Sequence, residues 1–401
     1  MAKTYESYKD SGVAWIGEIP SEWKVEILSM HLYEHRLYNT ELKETNLLSL
    51  SYGNIVKKNI DTKEGLLPES FNHYNIIDEG DIVLRLTDLQ NDKRSLRTGL
   101  CKEHGIITSA YLTLRNRGND NSDYLHYLLH AYDLCKVFYG MGNGVRQGMN
   151  FSDMRKLELI IPPFSEQQSI ASFLDTKCWE IDSLISLQEE MISELQAYKQ
   201  SVITEAVTKG LDPNAKMKDS GVEWIGEIPE GWNLSRAKFL VEITHGTDPR
   251  TDGDIPVYGS GAGSFKTCGE YKEGDAVLIG RKGATLNIPH YIVGKYWNVD
   301  TAFDVKAKNC FSLRYYYYLA FCFDYKKYMS QTTLPGMTQS DYNNMTLPFP
   351  PLNIQKSIAT YLDSKTSQID SLITLKQQKI DELKDYKKSI IYEYVTGKKR
   401  V

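Results

Sequence analysis

DSGVAWIGEIP at 10–20 returns as DSGVEWIGEIP at 219–229, changed only at Ala14/Glu223, and PPFSEQQSIASFLD at 162–175 returns as PPLNIQKSIATYLD at 350–363. A period near 200 residues is far longer than a solenoid unit and about the size of a whole domain. The chain therefore reads as two tandem copies of one domain-plus-helix module.

The repeat decays unevenly. The offset between copies is 209 at Asp10/Asp219, 194 at Asp81/Asp275, 192 at Ala110/Ala302 and 188 from Gly148/Gly336 onward, so insertions and deletions fall inside the middle segments. From 162 to 203 the copies run without a gap and agree at 22 of 42 positions. Shared ends with diverged middles are expected if the ends do one common job and the middles recognise different things. The expected division is a repeated element at 1–25, a domain at 26–161, a helix at 162–211, a linker with the second repeated element at 212–234, a domain at 235–349 and a helix at 350–401.

Proline at 162–163 and 350–351 blocks helix upstream, Ser165 with Gln168 has the spacing of a capping box, and Gly210 and Gly397 end the two helices. Inside, Leu174, Ile181, Leu184, Met191, Leu195, Tyr198 and Val202 recur at three- and four-residue steps with polar gaps at 177 and 188, and Leu362, Ile369, Leu372, Leu383, Tyr386 and Ile390 follow the same seam. That is a coiled-coil heptad. The second helix starts where the second domain ends, so it can pack on the first only by running back antiparallel. Charge agrees, with 3 basic against 8 acidic residues in 162–211 and 10 against 6 in 350–401, and pairing of the midpoints sets Glu189 and Glu190 near Lys376 and Lys379. The fold class expected is α+β: two mixed α/β domains joined by two long antiparallel coiled-coil helices, a pseudo-twofold dumbbell. The tryptophans of the repeated element, Trp15/Trp224 and Trp23/Trp232, read as packing anchors beside the helix ends.

At 401 residues, 41% hydrophobic and 25% charged, the chain has material for two cores; it has no apolar run of membrane-spanning length and a polar N-terminus, which points to the cytoplasm. Six scattered cysteines without a CxxC pair read as reduced thiols. The net charge of −5 argues against a bulk polyanion binder, which is usually basic, and the middles carry 16 basic against 18 acidic residues in 26–161 and 13 against 11 in 235–349. Any DNA affinity must come from local clusters or from partners.

Sites for intrinsic chemistry are not found. His31-Leu-Tyr-Glu34-His35 fits an HxxEH zinc pattern, yet the equivalent stretch 240–244 has no histidine. Gly259-Ser-Gly261-Ala-Gly263 lacks the GxGxxG spacing, and GxxxxGK[ST] is absent. No metal site and no catalytic residue is expected. Short β-branched runs after Gly-Asp turns, at 81–84 and 275–279, precede helices at 123–139 and 314–330, whose tyrosines Tyr315–Tyr318 read mainly as core. Basic and amide side chains near Gly-flanked loops are the candidate DNA contacts: Arg85, Lys93, Arg94, Arg97, Arg146 and Gln147 in the first copy, Lys266, Arg281, Lys282, Thr338 and Gln339 in the second. Arg and Lys suit guanine O6/N7 and Gln suits adenine, while nearby lysines take phosphate.

The paired DSGVxWIGEIP elements, the PPxxxQxxIAxxLD helix starts, the IDSLI heptads, TEAVTKGL at 204–211 and GDAVLIGRKGAT at 274–285 resemble, over the whole chain, the specificity subunit of type I restriction-modification systems. The resemblance implies two target-recognition domains, each reading one half of a split double-stranded DNA site. It also implies that the coiled coil acts as spacer and as docking surface for two modification (methyltransferase) subunits, with ATP-dependent restriction subunits joining the assembly. S-adenosylmethionine, ATP and Mg²⁺ would belong to those partners, and this chain would be non-catalytic. The rival reading is a structural adaptor joining two protein partners without reading DNA.

Overall fold

A computed structural model describes residues 4–60, 70–89, 96–141, 148–261, 263–283, 285–308, 310–328 and 335–401. The chain divides into two compact units, one of residues 1–187 with 379–401 and one of residues 188–378. Two helices run through both, Phe164–Lys209 and Leu352–Val395.

In the first unit a four-stranded antiparallel sheet has the order Leu32–Glu34, Leu112–Asn116, Ile82–Leu84, Thr98–Leu100. Its middle strands are apolar and buried, and helix Ser122–Leu134 packs beside them, burying Tyr124, Leu125, Leu128 and Leu129. The chain enters this domain on Lys24–Ile27 and leaves on Glu158–Ile161, and these two strands pair with each other. Entry and exit side by side are what an insertion between two conserved ends requires. In the second unit the corresponding sheet runs Val241–His245, Ala302–Ala307, Ala276–Gly280, His290–Ile292, and the entry and exit strands Asn233–Arg236 and Thr346–Phe349 pair likewise. A second four-stranded sheet, Ser264–Cys268, Ile255–Tyr258, Lys295–Asn298, Lys272–Glu273, is added there.

The repeated ends do the same mechanical work in each unit. Gln167 donates to Pro162 O at 3.0 Å and accepts from the N–H of Asn121, the N-cap of the domain helix, at 2.8 Å. Gln355 donates to Pro350 O at 2.8 Å and accepts from Ser312, the N-cap of helix Leu313–Ala320, at 2.7 Å. The expected Ser165–Gln168 capping box is therefore displaced: the helix starts at Phe164, two residues earlier than a Ser165 N-cap implies, and the glutamine that ties its start is Gln167. Tyr124 and Tyr315 then donate to Val395 O and Val207 O, holding the far end of the other helix within each unit. Trp23 is fully buried with Nε1 on Glu166 at 3.0 Å, and Trp15 meets the Tyr132 ring edge-on at 4.5 Å. Gly210 and Gly397 sit at positive φ just past the helix ends, as expected of left-handed C-terminal caps.

The helices are antiparallel in both units, bridged by Asp182–Lys387 at 2.6 Å in the first and Lys199–Asp370 at 2.7 Å in the second. The seam is half right and half shifted. Leu174, Ile181, Leu362, Ile369 and Ile390 are buried, and Leu195, Val202 and Leu383 are half-buried. Leu184, Tyr198, Leu372 and Tyr386, placed on the seam by the sequence, are exposed. The inner positions are instead Cys178, Ile185, Ile192 and Lys199, with Thr366, Ile373, Ile380 and Lys387 opposite. A 3.5-residue repeat can be phased 3-4 or 4-3, and the correct phase was masked because it contains two lysines. Their stems lie along the seam while their ammonium groups reach Asp370 and Asp182 at its edge. The midpoint pairing is also one residue off: Lys376 Nζ bonds Gln188 Oε1 at 3.3 Å, Lys379 pairs with Glu382, and Glu189 and Glu190 are exposed. Tyr315, Tyr316 and Tyr318 are buried core, leaving only Tyr317 of that run partly open. No helix among the described residues is long and apolar enough to cross a membrane.

Candidate nucleic-acid interface

In the second unit the turn after strand Ala276–Gly280 carries Arg281 and Lys282. Backbone bonds stitch this turn to 335–337: Met337 N donates to Arg281 O at 2.9 Å and Gly283 N to Pro335 O at 2.9 Å. The hairpin loop at 259–261 closes on the same turn, with Ser260 Oγ donating to Lys282 O at 2.7 Å. A cleft of about 550 Å³ results, lined by His245, Arg281, Lys282, Tyr328 and the 336–341 segment. The Arg281 guanidinium donates to both the carbonyl and the carboxylate of Asp300, and Lys282 Nζ lies 3.5 Å from that carboxylate. Asp300 thus aims two cations that remain partly open to solvent.

Thr338 and Gln339 sit on the opposite wall, at the start of helix Gln339–Asn344. Thr338 forms a capping box with Asp341, accepting from its N–H at 3.1 Å and donating to its carboxylate at 2.7 Å. Its hydroxyl is engaged in holding the helix end. Gln339 donates to Ile243 O, which fixes its amide and leaves the carbonyl oxygen as the group to offer a ligand. Lys266 lies away from this wall on the exposed strand Ser264–Cys268, over the Phe265 ring at 5.6 Å.

The first unit repeats the frame with different side chains. Met149 N donates to Leu86 O at 3.0 Å, and Asn150 caps helix Phe151–Met154 in a capping box with Asp153. A smaller cleft of about 140 Å³ there is lined by Glu34, His35, Arg36, Tyr38, Asn75, residues 109–113, Met149 and Asn150. Arg85 is partly open to solvent but does not line this cleft; its N–H bonds Arg97 O at 2.8 Å. Lys93, Arg94, Arg146 and Gln147 lie outside the described residues.

Arg97 does not belong with them. It is fully buried, and its guanidinium donates to Arg85 O, Thr87 O and Asp88 O at 3.1, 2.8 and 3.2 Å and, through Nε, to Tyr139 OH at 3.0 Å. A base contact needs a solvent-facing fork; this one clamps the 85–88 turn from inside. The HxxEH histidines are engaged too. His31 Nδ1 meets Asp120 at 2.7 Å and Nε2 lies 3.0 Å from Glu26, and the Asp120 bond holds the imidazole pKa above its ordinary value despite burial. Glu34 pairs with Arg36, and no cluster of metal-ligating side chains occurs among the described residues.

Arg36 and His245, missed by sequence reasoning, flank the two clefts. They are equivalent at the offset of 209, Arg36 two residues past strand Leu32–Glu34 and His245 the last residue of strand Val241–His245, and that alignment was the signal that would have found them.

The description "Type I restriction modification DNA specificity domain" matches residues 108–197 and 229–385. The chain belongs to this family. Among curated relatives, a putative type I restriction enzyme MjaX specificity subunit from Methanocaldococcus jannaschii is 24% identical over 96% of both chains. The MjaVIII specificity subunit of the same organism is 26% identical over 81% of this chain and 80% of its own. Among solved structures, a chain from work on complex assembly and conformational transition of the type I R-M system superposes with a TM-score of 0.72 at 17% identity, covering 94% of this chain and 98% of that one. The HsdS subunit of Thermoanaerobacter tengcongensis gives 0.50 at 17% identity with the same coverage. This chain is accordingly a specificity subunit, whose task is DNA sequence recognition, and its two matched regions follow the internal repeat.

Proposed function

We propose that 26–161 and 235–349 are the two target-recognition domains and that each reads one half of a bipartite double-stranded DNA site. The observation that carries this is the cleft built twice on the same stitched frame, with Arg36, Asn150 and Met149 lining one and His245, Arg281, Lys282 and Gln339 the other. A common frame with exchanged polar groups is how one scaffold reads two sequences. Arg281 and Lys282 are the proposed guanine or phosphate ligands, Gln339 the adenine ligand through its carbonyl, and Lys266 a phosphate contact; Arg85, Lys93, Arg94, Arg146 and Gln147 serve the first half-site.

The long helices set the spacer between half-sites and dock two modification subunits, to which restriction subunits are added. S-adenosylmethionine, ATP and Mg²⁺ are bound by those partners, this chain carries no chemistry of its own, and the assembly works in the cytoplasm. With a net charge of −5 the isolated chain binds duplex weakly and gains affinity when the modification subunits close around the DNA. Titration of a labelled duplex with the chain alone and with the complex tests this. Equal affinity in both would refute the gain on assembly, and no sequence preference in the complex would leave only an adaptor role.

A further inference from the structure

Strands Leu48–Ser51 and Asn54–Lys57 of the first unit form a hairpin closed by Tyr52-Gly53. Both turn residues have positive φ, 47° for Tyr52 and 82° for Gly53. Turns of that kind favour Asn-Gly, because an L side chain at the first position is crowded there. Tyrosine is a poor choice for the turn, and its ring is 81% exposed. A disfavoured backbone that presents a large aromatic to solvent points to an external ligand.

The hairpin is rigidly seated. Its inner face packs so tightly that a Cβ on Gly99 would lie 2.6 Å from Leu50 Cδ1, and one on Gly105 would lie 2.8 Å from Leu48 Cδ1. The outer face carries the cross-strand pairs Ser49–Val56 and Ser51–Asn54. Hydroxyls, an amide and a methyl-bearing side chain are groups that meet base edges and thymine methyls. Residues 48–58 include Lys57 and Lys58 and no acid, in a chain that is acidic overall. The B-DNA major groove admits a two-stranded ribbon of this width.

The second unit has a hairpin at the same point in its element order, Ile255–Tyr258 with Ser264–Cys268. There too the outer strand is exposed over its first four residues, including Phe265 and Lys266.

We infer that the 48–57 hairpin is a further reader of the first half-site, entering the major groove with Tyr52 as a base-contacting residue at its tip. This rests on the DNA-reading function above and adds a second reading element to the cleft of the first unit. The occupant is DNA rather than a protein partner because the outer face is polar rather than apolar and the hairpin segment carries two lysines and no acid.

Tyr52→Asn separates turn from ring, since Asn-Gly suits this turn better than Tyr-Gly. The variant is made in the full chain, assembled with its modification subunit, and assayed on a duplex carrying the target found by mapping methylated sites. The urea midpoint should stay or rise, while target affinity falls about 10-fold, the loss of one base-edge contact. The methylated motif should relax in its first half only, and Tyr52→Phe should retain most of the affinity. Unchanged affinity and motif in Tyr52→Asn, with a sequence-selective wild type, would overturn this inference alone. Weaker subunit assembly with an unchanged motif would overturn it in favour of a protein contact. A wild-type complex without sequence preference would overturn the DNA-reading function as well.

Discussion

Replacing Gly397 by Ala probes how the C-terminal end is locked to the N-terminal element of the first unit. Gly397 has φ +70°, and a Cβ there would meet Pro20 Cγ at 2.6 Å and Trp23 Cη2 at 3.2 Å. The left-handed backbone alone costs an L residue roughly 1 kcal/mol. Forcing a methyl against Trp23, which is fully buried, and Pro20 adds an overpacking cost of roughly 1–3 kcal/mol. A total of about 2–4 kcal/mol is expected. Two further glycines calibrate the reasoning. Gly12 has φ +75° and nothing within 4 Å of a new Cβ, so Gly12→Ala should lose only about 1 kcal/mol. At Gly210 the equivalent proline contact is much looser, Pro229 Cγ at 3.9 Å, while Trp232 Cζ2 lies at 3.0 Å, and its alanine variant should fall between. Urea unfolding followed by tryptophan fluorescence and by pulse proteolysis gives the three values. Gly397→Ala no worse than Gly12→Ala would mean that the tail does not rest on Pro20 and Trp23.

Arg97→Ala should destabilise the first unit by about 3 kcal/mol, by removing a fully buried side chain together with the bonds it donates to three carbonyls of the 85–88 turn, and should lower DNA binding only through that unfolding; a stable variant with selectively reduced affinity would put Arg97 back among the DNA contacts. On the helices, Leu174→Ala should cost about 2–5 kcal/mol and Leu184→Ala less than about 0.5 kcal/mol in urea melts; similar costs would contradict the seam phase. Burial, the largest cause for both, pushes His126 down to about 4 and His130 to about 3, although each keeps some exposed edge. A depressed histidine pKa means the unfolded chain binds more protons below 6.5, so stability is full above that pH and falls as pH drops toward 4. His130→Phe should flatten this acid limb, and a urea midpoint that does not change between pH 7 and pH 5 in the parent would refute it.

The duplication and the antiparallel helices were legible because they rest on repetition and on period, which survive in any sequence copied twice. The seam phase was not, because Lys199 and Lys387 look like surface residues until Asp370 and Asp182 are placed beside them. Arg97 illustrates the same limit for the site. An arginine near a glycine-flanked loop reads alike whether it faces solvent or bonds carbonyls inside, and only the packing of Tyr139 and the 85–88 turn decides. Arg281, Lys282 and Gln339 do converge on one cleft, since the stitched 281–283 and 335–337 backbones bring distant loops together. Tyr52 escaped notice because nothing in a tyrosine-glycine pair announces a left-handed backbone.

The claim at the centre is that each domain reads its own half-site independently. Replacing residues 235–349 by the corresponding segment of a relative, and mapping methylated sites in cells that carry the hybrid with its modification subunit, tests it directly. The account predicts a motif with one half exchanged, the other half intact and the spacer unchanged; a hybrid in which both halves change would contradict it.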